Sequence, residues 1–354
     1  MKPNKKFLQD LLDACSPSGQ EVNGTKVWDE AVGSLSGVRK YYSDKMGNSG
    51  WAIGEGPTKV LLSGHIDEIC SGVVYISPEG YLRLSGMAGL DKKTLPGSSV
   101  IVLTDTGEKV HGVVESLAIH LQYSEKKLDS SPTYEDLVVD LGCESKEEVE
   151  ALGVHVGCLV VPERNNLLDF GKSKLHGNSL DDKAGVFCVY EVLRGLSELN
   201  PDSEVFKKLT IIGLAAVGEE SGCRGVMVAA RNLNVDISID LDVTHATDGD
   251  LVPKEKYGDI GLGSGVVIEY GQDKSRRLAN LMIDAAEKNG ISYQRSLSRC
   301  GGTNTDNIQL FSRDCETMLL SLPLTSMHTP AETMNWKDIE SAIKLLIETV
   351  KVLE

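Results

Sequence analysis

Four apolar stretches of this 354-residue chain run into a residue able to bind a metal. Residues 61–64 lead to His65 and Asp67, 209–218 to Glu219 and Glu220, and 235–241 to Asp242. Residues 318–323 lead through a short loop to His328, and the acidic pair Asp181-Asp182 stands before the apolar stretch that opens at Lys183. Taken singly, each has an ordinary explanation. A histidine near an acid is commonly a hydrogen-bonded surface residue, and a Glu-Glu pair a solvated turn. An Asp pair ahead of an apolar helix is an N-cap with favourable helix-dipole charge. Taken jointly, imidazole and acidic groups delivered by separate segments match the place where open α/β sheets build sites, outside the carboxyl ends of strands. Their mix of nitrogen and carboxylate oxygen suits Zn²⁺, Co²⁺ or Mn²⁺ rather than Ca²⁺.

Such groups need a framework, and hydrophobic periodicity supplies one. Phe7, Leu8, Leu11 and Leu12 fall on one face of a helix over 4–14, which Ser16-Pro17-Ser18-Gly19 ends. Residues 59–62 read as a short buried strand. From about residue 71 the character changes to short strand-like runs, 73–76, 81–84, 99–104 and 108–114, separated by Pro78-Glu79-Gly80 and Thr106-Gly107. That spacing predicts a small all-β module. Residues 122–152 read as an exposed loop followed by a charged surface helix. After about residue 170 strands and helices alternate: helices over 183–196, 276–288 and 336–353, strands over 209–217, 235–241 and 317–322. Alternation of this kind implies an α/β sheet covered on both faces. The expected organisation is one discontinuous α/β domain, residues 1–70 and 170–354, with a β module, 71–169, inserted. Gly261-Leu262-Gly263-Ser264-Gly265 lacks a following helix and reads as a turn, not a phosphate loop.

Charge narrows the partners. Lys plus Arg number 36 against 52 Asp plus Glu, a net charge of −16, which disfavours nucleic acid and anionic membrane because both require clustered positive charge. Eight cysteines, at 15, 70, 143, 158, 188, 223, 300 and 315, form no CxxC pair. A chain of this length buries a core without disulfides. The N-terminal residues lack the unbroken apolar run of a signal peptide, and the longest apolar stretch, 209–217, is about half a membrane span. A reduced, cytoplasmic protein is expected.

The motifs together resemble those of the dinuclear metallo-aminopeptidases that include glutamyl and deblocking aminopeptidases and the large tetrahedral aminopeptidase particles, some labelled cellulase M or endoglucanase. The resemblance runs through Pro17-Ser18-Gly19-Gln20-Glu21, Asp44-Lys45-Met46-Gly47-Asn48, Gly64-His65-Ile66-Asp67-Glu68-Ile69 and Gly80-Tyr81-Leu82-Arg83. It continues through Leu180-Asp181-Asp182-Lys183-Ala184-Gly185, Gly218-Glu219-Glu220-Ser221-Gly222, Leu241-Asp242-Val243-Thr244-His245-Ala246 and Met327-His328-Thr329-Pro330-Ala331-Glu332. It implies a zinc-exopeptidase-like catalytic domain with an inserted barrel-like module.

By this resemblance His65 and Asp242 hold one metal, Glu220 and His328 the other, and Asp181 bridges them. Asp67 orients the His65 imidazole, and Glu219 is the general base. The three ligand carboxylates with a hydroxide or an ionised Glu219 nearly balance two divalent ions. Water activated between the metals attacks the scissile carbonyl, while Glu219 carries the proton to the leaving amine. A cis peptide at Asp181-Asp182 is also implied. So is dimer formation through the inserted module, with dimers able to assemble into a hollow twelve-subunit particle.

Departures from the family pattern gather near the substrate. Thr325-Ser326 replaces an Arg-Tyr, Gly301-Gly302-Thr303-Asn304 replaces Gly-Gly-Thr-Asp, Cys70 replaces a glycine, and Cys223 follows the acidic pair. The expected function is a metal-dependent aminopeptidase acting on peptides. Two alternatives are a glycoside hydrolase, disfavoured by an aromatic content of only 5% for sugar stacking, and a non-catalytic metal-binding scaffold, for which an unligated Glu219 has no use.

Overall fold

The structure, a computed structural model, describes residues 2–121, 131–249, 251–297 and 302–353. Cys300 and Gly301 among the sequence motifs, and 122–130 of the expected loop, lie outside the described residues. The chain forms two compact units: residues 1–67, 166–327 and 331–354, and residues 68–165 with 328–330.

The first unit is built on an eight-stranded mixed sheet. Its strands run in the spatial order Arg39–Ser43, Ser49–Ile53, Leu209–Ala216, Thr58–His65, Ile237–His245, Glu316–Leu324, Val266–Tyr270 and Tyr293–Leu297. Thr58–His65 lies between Leu209–Ala216 and Ile237–His245, parallel to both, and Glu316–Leu324 is parallel to the latter. The carboxyl ends of these four strands therefore share one edge. The two sequence-adjacent N-terminal strands and Tyr293–Leu297 carry no clean apolar run, and that of Val266–Tyr270 is only three residues long, which is why periodicity overlooked them.

Alternation within strands sorts the two faces. Val60, Leu62, Ile239, Leu241, Ile268 and Leu320 enter the main core beneath the helices Lys5–Asp13, Leu180–Ser197, Arg276–Asn289 and Trp336–Val352. The opposite face carries Leu61, Ile212 and Leu214 under the helix Arg224–Leu233. Gly64 lets the helix Leu180–Ser197 come close: a Cβ there would meet Val186 N at 2.7 Å and the Gly185 carbonyl carbon at 2.9 Å. The loop 261–265 is a turn, and its amide face is taken. Gly263 and Gly265 N–H both donate to Asp338 at 2.7 Å.

The second unit is a closed six-stranded barrel in the order Cys70–Ile76, Leu82–Ala88, Val138–Asp140, Lys109–Val114, Ser99–Leu103 and Leu159–Pro162. It encloses its own core around Val73, Leu84, Val102 and Val160. One expectation is corrected here. Residues 138–140 belong to a strand rather than the predicted loop, because Val139 is fully buried and pairs with Leu82 on one side and Val114 on the other. Three residues are too few for period-two alternation to register. The surface helix is present as Lys146–Ala151, capped by Ser145. Among the described residues no helix is long and apolar enough to cross a membrane, and no disulfide joins the described cysteines.

Candidate metal centre

His65 closes its strand with 1% of its surface exposed. Its Nδ1 is 3.1 Å from the Asp67 carbonyl oxygen and 3.6 Å from Asp67 Oδ1. An Nδ1–H donating there leaves Nε2 as the electron-pair face, and Nε2 is 3.1 Å from Asp181 Oδ1 and 3.9 Å from Glu219 Oε2. Burial alone would lower the His65 pKa, but hydrogen bonding to Asp181 and Asp67 and the charge of Glu219 overcome it and raise it well above the usual imidazole value.

Asp67 is fully buried and saturated with donors. Oδ1 accepts the Glu219 N–H at 3.0 Å, while Oδ2 accepts the Ser18 hydroxyl at 2.7 Å and the Glu220 N–H at 3.1 Å. Although burial works against it, His65, Ser18 and the Glu219 amide hold its carboxyl below the ordinary value. One residue thus fixes the His65 loop and the turn that presents both glutamates.

The Asp181-Asp182 peptide bond is cis. The two acids have different partners. Asp182 accepts the Gly185 N–H at Oδ1 (2.9 Å) and the His65 N–H at Oδ2 (3.1 Å), so it caps the helix that follows and tethers the histidine backbone. Asp181, 6% exposed, is held through its own N–H, which donates to Glu332 Oε2 at 3.2 Å, and its carboxylate faces His65. Asp242 lies inside the strand Ile237–His245, not beyond its end as periodicity implied, because the strand continues in register with Ser321 and Leu324.

Donor atoms of His65, Asp181 and Glu220 lie within 4.8 Å of one another, and so do those of His65, Asp182 and Asp242. This is a dense set of buried carboxylates around one imidazole. Burial first, and then mutual repulsion, pushes Glu219, Glu220, Asp182 and Asp242 upward in pKa, the last three strongly. Packed like charges of this kind are stabilised by cations placed among them, and imidazole with carboxylates is a donor set suited to divalent transition ions. The residues therefore fit a metal. His328 belongs to the second unit, where its Nδ1 is 3.0 Å from the Gly89 carbonyl oxygen and its own carbonyl accepts the Asp91 N–H at 3.0 Å.

Sequence reasoning gave no role to Ser18 or Glu332; Cys223, noted there as following the acidic pair, donates its Sγ–H to Glu219 Oε1, the Sγ 3.4 Å away. It also passed over Asp240, fully buried, bonded to the Ser63 hydroxyl and pushed up to about 7 by burial. A signal was present in the run Ile237-Ser238-Ile239-Asp240-Leu241-Asp242-Val243, which alternates strictly and so puts Ser238, Asp240 and Asp242 on one face.

A family described as M42 glutamyl aminopeptidase matches residues 49–345. The lysyl aminopeptidase of Pyrococcus furiosus is 28% identical over 98% of this chain and 98% of its own. Among solved structures, a TET aminopeptidase from the marine-sediment archaeon Thaumarchaeota archaeon SCGC AB-539-E09 superposes with a TM-score of 0.89 at 28% identity, covering 99% of this chain and 97% of that one. The TET1 peptidase of Pyrococcus horikoshii, which can assemble into a tetrahedron or a large octahedral shell, gives 0.85 at 28% identity over 99% of both chains.

Proposed function

The chain belongs to the M42 glutamyl aminopeptidase family, and on that premise we propose that it is a dinuclear metal aminopeptidase releasing N-terminal residues from peptides. The observation that carries this reading is the convergence of His65, Asp181 and Glu220 donor atoms within 4.8 Å, with Glu219 Oε2 only 3.9 Å from the same imidazole. His65 and Asp242 would hold one ion, Glu220 and His328 the second, and Asp181 would bridge them. Bound there, Zn²⁺, Co²⁺ or Mn²⁺ would lower the pKa of a water to about 7 and polarise the scissile carbonyl.

This chain's residues do the rest. Glu219, whose carboxyl burial and the neighbouring acids hold above the ordinary range, takes a proton from the attacking water and returns it to the leaving amine. Asp67 keeps the Glu219 backbone and the His65 ring in register. The free α-amino group of the substrate would be anchored by a metal or a nearby carboxylate, which favours exopeptidase over endopeptidase cleavage. Glycoside hydrolysis gains no support, since that chemistry sets two carboxylates about 5–9.5 Å apart across a sugar, whereas here they crowd one imidazole.

The reading extends to a cytoplasmic enzyme assembled as a dimer, or further as a twelve-subunit particle, through the barrel module. Incubating the purified protein with a peptide library varied at its first residue tests the activity. Stepwise release of free amino acids, abolished by a chelator and restored by Zn²⁺, Co²⁺ or Mn²⁺, is the expected result. Release of internal fragments, or none under any metal, overturns it.

A further inference from the structure

Beside the metal centre, the same face of the sheet carries a cavity that the chemistry above leaves unused. It measures about 50 Å³ and is lined by residues including Thr244, His245, Glu269, Ser296 and Ser321, which is room for about three to five water-sized groups at roughly 10–15 Å³ each, the polar end of a long side chain. Its position is fixed by register. Thr244 follows Asp242 along its strand, Ser321 pairs with Asp242 across to the next, and Ser296 pairs with Glu269 two strands further on. The cavity thus runs from the strand of a proposed metal ligand to Glu269, two strands away.

Its chemistry is one-sided. Glu269 is 2% exposed, and the hydroxyls of Thr244, Ser296 and Ser321 face its carboxyl, although among the described residues its Oε2 has no donor at close hydrogen-bond distance. Among the described residues the lining includes one carboxylate and one imidazole, His245, and no lysine or arginine. Neighbouring Lys274 is engaged elsewhere, 2.6 Å from Asp273 and 3.2 Å from Asp306. A buried carboxylate oxygen lacking a donor is costly, and a donor supplied by a ligand removes that cost. In an aminopeptidase the side chain of the first residue lies next to the scissile bond, so the cavity adjoining the metal centre is where it must go.

Resting on the aminopeptidase reading, we propose that this cavity takes the N-terminal side chain of the substrate, and that Glu269 selects a cationic one, lysine or arginine, against glutamate. An ammonium or guanidinium brings donors to the Glu269 carboxylate, and charge-assisted hydrogen bonds are the stronger kind. A glutamate would set a second carboxylate against Glu269.

The test compares kcat/KM for the lysine, arginine, leucine and glutamate p-nitroanilides, in the metal-loaded wild type and in Glu269→Gln, alongside calorimetric binding of L-lysinamide to both. In the wild type, lysine and arginine should exceed leucine by about 10- to 100-fold, with glutamate lowest. In Glu269→Gln the lysine-to-leucine ratio should fall by a similar factor and lysinamide should bind at least about tenfold more weakly. Leucine or glutamate released as fast as lysine by the wild type, or an unchanged ratio in the variant, overturns the proposal while the aminopeptidase reading stands. If none of the four is cleaved, that reading fails, and the calorimetry decides the cavity separately: weaker lysinamide binding in Glu269→Gln supports it, equal binding overturns it. The wild-type ranking does not depend on the variant folding, and Glu269→Asp, which draws the carboxylate back by one methylene, offers a milder substitution with the same expected direction.

Discussion

Asp67 accepts the backbone N–H of Glu219 at 3.0 Å, across 152 residues of chain. The same carboxylate takes the Glu220 N–H and the Ser18 hydroxyl, so its role is wider than orienting His65. Asn at this position keeps the shape but sets an amide donor against backbone donors. Asp67→Asn should weaken metal binding by about 10- to 100-fold and lower stability by about 1–3 kcal/mol. Metal titration and urea unfolding measure the two. Wild-type values for both would reduce Asp67 to a bystander.

Glu219 differs from its neighbours in its assigned task, which is proton transfer rather than ligation. Glu219→Gln should retain fold and metal content while kcat drops by about 10²- to 10⁴-fold. Turnover near that of the wild type would place the base elsewhere.

Asp181 is the proposed bridge, 3.1 Å from the His65 imidazole. Removing a bridge removes a ligand from both ions, so Asp181→Ala should bind neither, whereas Asp242→Ala should lose chiefly one. Elemental analysis after dialysis gives the count directly, and a full complement in Asp181→Ala would rule the bridge out.

How much of this was readable from the residues depends on whether a signal was local. His65, Glu219 and Glu220 stand where apolar strands stop, and that boundary is written in the sequence itself. Asp242 was found although its strand runs past it, because it follows the stretch read as the strand's end at Leu241. Ser18 and Glu332 reach the site from 49 and 151 residues away from the groups they bind; no periodicity joins them, and only the tertiary fold does. Glu269 was hidden for another reason. Its strand, Val266–Tyr270, carries apolar residues on both faces at its start, so nothing sets one acid apart until the neighbouring strands show what surrounds it.

A pH prediction comes from a site remote from the metals. Asp29, in the helix Val22–Gly33, accepts Lys40 Nζ and Trp51 Nε1, both at 2.7 Å. Partial burial opposes ionisation, but Lys40, Ser49 and Trp51 outweigh it and hold the carboxyl below its ordinary 3.8. A folded-state pKa below the unfolded one means the unfolded chain binds protons first as pH falls. The stabilisation is therefore complete above about pH 5 and is lost as pH drops through 3.8 toward the folded value. For a half-exposed group it should be on the order of 1 kcal/mol or less. The stability gap between wild type and Asp29→Asn, from urea unfolding, should be constant from pH 5 to 8 and shrink below pH 4. A gap that widens in acid would reverse the sign of the argument.

The barrel unit supplies none of the proposed ligands from residues 68–165, so its contribution is expected to be assembly. A closed barrel removes the unpaired strand edges through which sheets associate, and any association must use its outer surface. On that surface Val74, Met87, Val113 and Val156 are all at least half exposed. If an association uses these side chains, charging them should prevent it without entering the barrel core. Light scattering on the intact chain at micromolar concentration should give a dimer or a larger particle. The double variant Met87→Glu, Val113→Glu should shift the mass to the monomer with metal content unchanged. A monomeric wild type would end the assembly role for this module; a dimer that grows no further would remove the twelve-subunit particle and leave the dimer.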